Sequence, residues 1–152
     1  MNEIVLHLAI ALTVIYAVTM TVLYGWQKSF SDTYYTQRIG WVFQAWCWSL
    51  GLLLFLALYQ VAPAIMVSTF GFVVVGASAK MREKWQRTIH FYGAVLTMVG
   101  GCLALMQVDL LSGLIATGVL AISAVILFLW KPNNYFFWLE SLAFLIIYVN
   151  LI

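Results

Sequence analysis

The sequence has very few charged residues. They make up 8% of its 152 residues, whereas 65% of the residues are hydrophobic. A soluble globular domain carries about 25% charged residues. Mean hydropathy is +1.02, which excludes an ordinary soluble domain and favours a chain that lies within a bilayer. The net charge of +2 is too small to indicate nucleic-acid binding.

Cysteine and proline are also scarce, with two of each. Cys47 and Cys102 both lie inside apolar segments at different expected depths, so we expect no disulfide between them and no structural zinc site. We expect no other cofactor. The N-terminus lacks the basic stretch and the small-residue cleavage site of a signal peptide. We therefore expect the first apolar run to be a membrane helix.

Six apolar segments divide the chain, each close to the roughly 20 residues that a helix needs to cross a bilayer. The predicted spans are residues 4–26, 39–59, 62–79, 88–108, 110–130 and 135–152. Pro63 separates the second from the third, and Asp109 is placed to cap the fifth. The sequence predicts an all-α polytopic membrane protein, a compact bundle of six transmembrane helices that forms a single domain over residues 1–152.

The seven basic residues all fall in alternate gaps between these spans. They are Lys28 and Arg38 in the first gap, Lys80, Arg82, Lys84 and Arg87 in the third, and Lys131 in the fifth. Short loops rich in Lys and Arg stay in the cytoplasm. An even number of spans then predicts that both termini are extracytoplasmic. The small, compact chain favours the bacterial inner membrane.

Few ionisable residues lie within or beside the spans, and such residues are functional candidates because charge in a bilayer is costly. His90 lies about one turn into the fourth span, Glu140 lies in the sixth, and Ser31 and Asp32 lie in the first loop. All four belong to the cytoplasmic side, which predicts a polar pocket there. A hydrogen bond between His90 and Glu140 that joins two helices is the structural alternative. A metal site at Asp32, His90 and Glu140 is the less favoured alternative.

Two further patterns predict contacts. Gly93 and Thr97 are spaced four apart and indicate a helix-packing face that turns His90 into the bundle. Tyr148, near the end of the sixth span, is expected at the outer interface. A basic cluster beside a membrane attracts anionic lipid, with about 1 kcal/mol for each charge. We therefore expect contacts with anionic head groups of the cytoplasmic leaflet from Lys80, Arg82, Lys84 and Arg87. A second copy or another membrane protein is also a candidate partner.

Three stretches resemble a known family. They are Ser31-Asp32-Thr33 after the first span, His90-Phe91-Tyr92-Gly93-Ala94 at the start of the fourth, and Glu140 in the last. Together they resemble the six-span damage-regulated autophagy modulator and Frag-like membrane proteins, although Tyr34 stands where that family has glycine. The resemblance implies a role in lipid handling or membrane homeostasis.

The sequence leaves several functions open. The favoured one is a small integral membrane protein of lipid handling or membrane homeostasis with a pocket at the cytoplasmic face. An enzymatic version would be a metal-assisted lipid hydrolase or remodelling enzyme, which the lack of a multi-histidine ligand set disfavours. A non-enzymatic assembly or scaffold subunit is the alternative. A pore or transporter is third, because the middle of the spans holds almost no ionisable residue.

Overall fold

The computed structural model describes residues 1–36, 40–80 and 83–152, and every regular element in those ranges is an α-helix. The helices there are α1 (Glu3–Tyr24), α2 (Thr33–Thr36), α3 (Trp41–Leu58), α4 (Ile65–Ala77), α5 (Lys84–Val108), α6 (Leu110–Trp130) and α7 (Tyr135–Val149). Arg38, Arg82 and position 39, where the second span was predicted to begin, lie outside the described residues.

Four of the described helices are long and apolar enough to cross a membrane, namely α1, α3, α5 and α6. Helices α4 and α7 are apolar but have only 13 and 15 residues. At 1.5 Å per residue they are roughly 20 and 22 Å long, against about 30 Å for a hydrocarbon core. The predicted third and sixth spans are therefore helical, but over shorter lengths than their apolar segments.

Local caps set the beginnings of α1 and α6. The side chain of Asn2 accepts a hydrogen bond from the N–H of Val5 at 3.3 Å. Asp109 does the same for Ser112 at 3.0 Å, so the predicted cap is confirmed. Both caps supply an acceptor to N–H groups that have no partner within the helix.

Helix α5 begins at Lys84, four residues before the predicted start at position 88. Glu83 and Gln86 cause this early start through a reciprocal capping box, in which each side chain accepts from the other residue's backbone N–H. Lys84 and Arg87 therefore lie in the first turn of a helix, where they were expected in a loop. The basic cluster is thus an extension of the helix that carries His90.

Apart from the short α2, each helix packs on the next along the chain, and one side-chain hydrogen bond between α7 and α1 closes this order into a ring. Thr13 of α1 and Tyr148 of α7 share a buried hydrogen bond of 2.8 Å across 135 positions of sequence. Because the Thr13 hydroxyl already donates to the carbonyl of Ala9, the Tyr148 hydroxyl is the donor. The expectation that Tyr148 lies at the interface is wrong, since its hydroxyl has a partner inside the bundle.

Helices α4 and α5 pack more closely than any other pair of described helices. Gly71 lies against Thr97 and the carbonyl oxygen of Gly93, and Gly100 lies against the backbone of Ser68. Small residues allow two helix backbones to approach this closely. The predicted packing role of Gly93 and Thr97 is confirmed.

Hydrogen bonds bring the basic gaps to one end of the bundle. The Tyr35 hydroxyl donates to the carbonyl of Lys80, and the N–H of Phe137 donates to the carbonyl of Lys28 at 2.9 Å. At the opposite end, the N–H of Asn2 donates to the carbonyl of Ala57 in the last turn of α3. There the side chain of Gln107, at the end of α5, also accepts from the N–H of Ala64 before α4. We call the first of these the basic end, and its described basic residues are Lys28, Lys80, Lys84, Arg87 and Lys131.

Candidate functional site

A cavity of about 80 Å³ runs inside the ring of helices. Its walls come from α3, α4, α5 and α7, together with Phe30 and Ser31 before α2. Along α5 the lining extends from His90 to Ala104, which are 14 residues and therefore roughly 21 Å apart. Most of the wall is apolar, and Glu140 and His90 lie toward its basic end. The cavity is thus elongated and polar at one end.

Glu140 on α7 is held by the loop that follows α1. Its Oε2 accepts a hydrogen bond of 2.7 Å from the N–H of Phe30, and the side chain is partly buried. In the described part of the chain, the charged group that acts on it is the carboxylate of Asp32, which repels it. The Glu140 carboxylate therefore borders an apolar cavity with a backbone donor but without a described cation beside it.

His90 is buried, with 7% of its surface exposed, so the prediction that it points into the bundle is confirmed. Its Nδ1 lies 3.4 Å from the Oγ of Ser78, at the end of α4. The Ser78 hydroxyl donates to the carbonyl of Val74 at 2.6 Å, so it can only accept from the imidazole. A second hydrogen bond joins the imidazole to the backbone of Val75, so both partners of His90 belong to α4 and its C-terminal end.

Ser31 and Asp32 take different places. Ser31 is buried in the cavity wall and shares a hydrogen bond of 2.8 Å with the hydroxyl of Ser29. Asp32 is not part of the wall, but its charge acts on both His90 and Glu140. The structure therefore brings Ser31, His90 and Glu140 to one cavity and places Asp32 beside it.

His90 and Glu140 have separate hydrogen-bond partners, one on α4 and one in the loop after α1. The structural alternative required a bond between them, and the described contacts show each side chain engaged elsewhere. Within residues 1–36, 40–80 and 83–152, no three His, Cys, Asp or Glu side chains are grouped closely enough to hold a metal ion. The described polar groups of the cavity wall can offer a ligand hydrogen bonds from Ser31 and His90 and the carboxyl group of Glu140.

The residues expected to contact lipid head groups lie around the start of α5. Lys80, Lys84 and Arg87 are exposed at the basic end, where Arg82 lies outside the described residues. None of these residues lines the cavity. The exposed basic residues therefore form a rim that is separate from the acidic cavity wall.

Aromatic side chains build the wall around Glu140. The ring of Phe30 stacks on Trp46 and on Phe137, with centroid distances of 5.7 and 4.8 Å. Phe144 meets both Phe30 and Trp46 edge to face. The loop that supplies the N–H to Glu140 is thus anchored by its own aromatic side chain.

Trp46 carries a functional signal that the sequence reasoning missed. It lines the cavity and is 5% exposed, and its indole N–H has no hydrogen-bond acceptor in the described part of the protein. A buried donor without a partner costs about 1–3 kcal/mol. Its position in the second span, away from the aromatic belts, is the signal that could have identified it. The indole nitrogen itself is inaccessible to a water-sized probe, so an acceptor would reach it only if the surrounding side chains move.

The chain stands apart from known proteins in three comparisons. No family model matches it, and no curated protein or solved structure is significantly similar to it.

Proposed function

We propose that the protein is a six-span integral membrane protein of the bacterial inner membrane that takes a lipid chain into its bundle for lipid handling or membrane homeostasis. The observation that carries this proposal is the elongated apolar cavity with Ser31, His90 and Glu140 at one end. We include in the proposal kinship with the six-span autophagy-modulator and Frag-like family, on the motifs around Asp32 and His90.

The dimensions of the cavity support a lipid chain as its occupant. Its length along α5 is roughly 21 Å. One leaflet is about half of the ~30 Å hydrocarbon core, so the cavity is long enough for an acyl chain. Its volume of about 80 Å³ corresponds to about six water-sized positions, so it holds a segment of that chain while the rest stays in the bilayer. The lining of small and aromatic side chains offers apolar contact along the chain, while the polar end offers hydrogen bonds to a head group.

The packing of α7 supports a lateral entry route. Helix α7 contacts α5 sparsely, in contrast to the tight α4–α5 pair, and both α5 and α7 line the cavity. A lipid chain that leaves the bilayer could pass between two helices that are loosely packed more readily than between any tight pair. The narrow, mostly apolar interior has His90 and Glu140 at one end, and its described lining lacks the rings of carbonyls or charged side chains that form a selectivity filter, which supports this function over a pore.

Filling the cavity tests the proposal. Ala94 lines the cavity, whereas Ala121 is exposed on α6, so Ala94→Leu and Ala121→Leu add the same atoms at an inner and an outer site. We expect the purified wild type to retain phospholipid after detergent washing, measured by native mass spectrometry. Ala94→Leu should lose that lipid and Ala121→Leu should keep it. Equal retention by both variants would show that the lipid binds elsewhere.

The proposed orientation has its own test. Asn133 at the basic end and Val108 at the opposite end are both exposed. Cysteine at each position is introduced in a Cys102→Ala background, with Cys47 retained because it is fully buried. We expect an impermeant thiol reagent to label Val108→Cys, and not Asn133→Cys, in right-side-out membrane vesicles. The reverse pattern would place both termini in the cytoplasm.

A further inference from the structure

We propose that the cavity selects a phospholipid whose head group ends in a primary ammonium, of the phosphatidylethanolamine class. This inference rests on the proposed function and names its ligand. The ammonium binds the carboxylate of Glu140, the phosphate faces the basic end, and a segment of one acyl chain occupies the apolar cavity.

Glu140 supplies the selectivity for a cation. Its carboxylate lies in an apolar wall beside the aromatic side chains of Phe30 and Trp46, and the charge acting on it is that of another acid, Asp32. An ammonium that binds beside Glu140 stabilises the ionised carboxylate, whereas an anionic head group is repelled by it. A primary ammonium has three N–H donors, so it pairs with a carboxylate through charged hydrogen bonds.

Lys28 is an exposed basic residue in the loop that contacts the beginning of α7. Its carbonyl accepts from the N–H of Phe137, which is one turn of α7 before Glu140. One turn is about 5.4 Å, so the backbone of Lys28 lies about one turn from Glu140 toward the basic end, and its exposed side chain adds a positive charge to that end. In a zwitterionic head group, the ammonium would pair with Glu140 in the cavity wall and the phosphate with Lys28 at the basic end.

Trp46 gives an independent observation that also indicates a lipid. Its buried N–H lacks an acceptor among the described residues, and its ring stacks on Phe30, whose N–H binds Glu140. The ester carbonyl of a glycerophospholipid is an acceptor that lies just below the phosphate. A lipid seated on Glu140 therefore brings an acceptor near the wall that holds the unpaired donor, and the Trp46 ring must shift for the two to meet.

This chemistry predicts an order of preference among phospholipids. Phosphatidylglycerol has no cation for Glu140, and phosphatidylcholine has a quaternary ammonium without N–H donors. A charged hydrogen bond is typically strong enough for about a tenfold difference in affinity. We therefore expect about a tenfold preference for phosphatidylethanolamine over phosphatidylglycerol, with phosphatidylcholine between them.

The experiment offers the purified full-length protein an equimolar mixture of the three lipids with identical acyl chains, and counts bound lipids by native mass spectrometry. Glu140→Gln keeps the shape and removes the charge, so we expect it to abolish the preference. Glu83→Gln removes one negative charge at the same end outside the cavity and should leave the preference unchanged. If Glu140→Gln fails to fold, Lys28→Gln should reduce the preference without touching the cavity wall.

The outcomes separate this inference from the proposed function. If the wild type binds all three lipids equally, or prefers phosphatidylglycerol, the head-group inference is wrong while lipid binding stands. If no lipid is retained, the proposed function itself fails. Soluble glycerophosphoethanolamine at the lipid's concentration should not displace the bound lipid, because it has no chain for the cavity. Displacement would show that the site binds a free head group, which contradicts a lipid ligand.

Discussion

The close approach of α4 and α5 makes Gly100 the most sensitive position of the bundle to an added methyl group. A Cβ at Gly100 would lie 2.2 Å from the backbone nitrogen of Ser68. Ordinary contact begins at about 3.4 Å, so the two backbones must separate by about 1.2 Å. No rotamer change relieves a contact between two backbones. Ser68 also lines the cavity, so this separation would deform the candidate site.

Two other glycines give a graded comparison. A Cβ at Gly118 meets nothing within 4 Å, and one at Gly101 would lie 2.7 Å from the Cδ1 of Ile147, a flexible side-chain end. Alanine in place of an unconstrained helix glycine stabilises by about 0.5–1 kcal/mol. Overpacking costs about 1–3 kcal/mol or more. We expect Gly118→Ala to be neutral or stabilising, Gly101→Ala to lie near zero, and Gly100→Ala to destabilise by about 2 kcal/mol net.

The measurement is the free energy of unfolding in mixed micelles, titrated with SDS and followed by circular dichroism. The order Gly118→Ala, Gly101→Ala, Gly100→Ala from most to least stable is the expected result. Equal stability of Gly100→Ala and Gly118→Ala would refute the close contact of α4 with α5. The reasoning about the shape of the cavity would then fail as well.

Two further predictions concern hydrogen bonds that hold the bundle. A double-mutant cycle of Thr13→Val and Tyr148→Phe should give a coupling energy of about 1 kcal/mol, because the pair is buried; no coupling would mean that the ring is not closed there. Asp109→Ala should lower the melting temperature, whereas Asp109→Asn should preserve the cap of α6. The hydrogen bond with Ser112 lowers the pKa of Asp109 from its ordinary value of 3.8. The ionised Asp109 therefore adds to the free energy of unfolding above pH 3.8, and this stabilisation is lost as the pH falls through the lower folded-state pKa. The Asn variant should show no such loss in acid; a parallel loss would assign the acid sensitivity to another group.

Much of the helical architecture was predictable because it depends on local composition. The bounds of α6 coincide with the predicted fifth span, since Asp109 caps its beginning and the turn at Lys131 ends it. Helix α5 begins before the predicted span, because the Glu83–Gln86 capping box adds a polar first turn that apolar length does not indicate. The lengths of α4 and α7 were overestimated for the same reason, since apolar residues continue into turns.

The candidate site was predictable only in its ingredients. An ionisable residue in an apolar segment stands out in a sequence, which identified His90 and Glu140. Their partners were not predictable, because the N–H of Phe30 and the hydroxyl of Ser78 reach them through the packing of distant segments. Trp46 was missed because an unpaired N–H is a property of its surroundings and not of its residue type.

The sequence by itself therefore determined the helical class, the apolar character and the alternation of basic gaps, since each follows from the order of side chains along the chain. Only the tertiary structure decided that Tyr148 closes the ring against Thr13, that the basic gaps meet at one end, and that an acid borders an elongated cavity. These features depend on which helix faces meet. Side-chain shape and close backbone approach at residues such as Gly100 decide that, and neither is encoded in hydropathy.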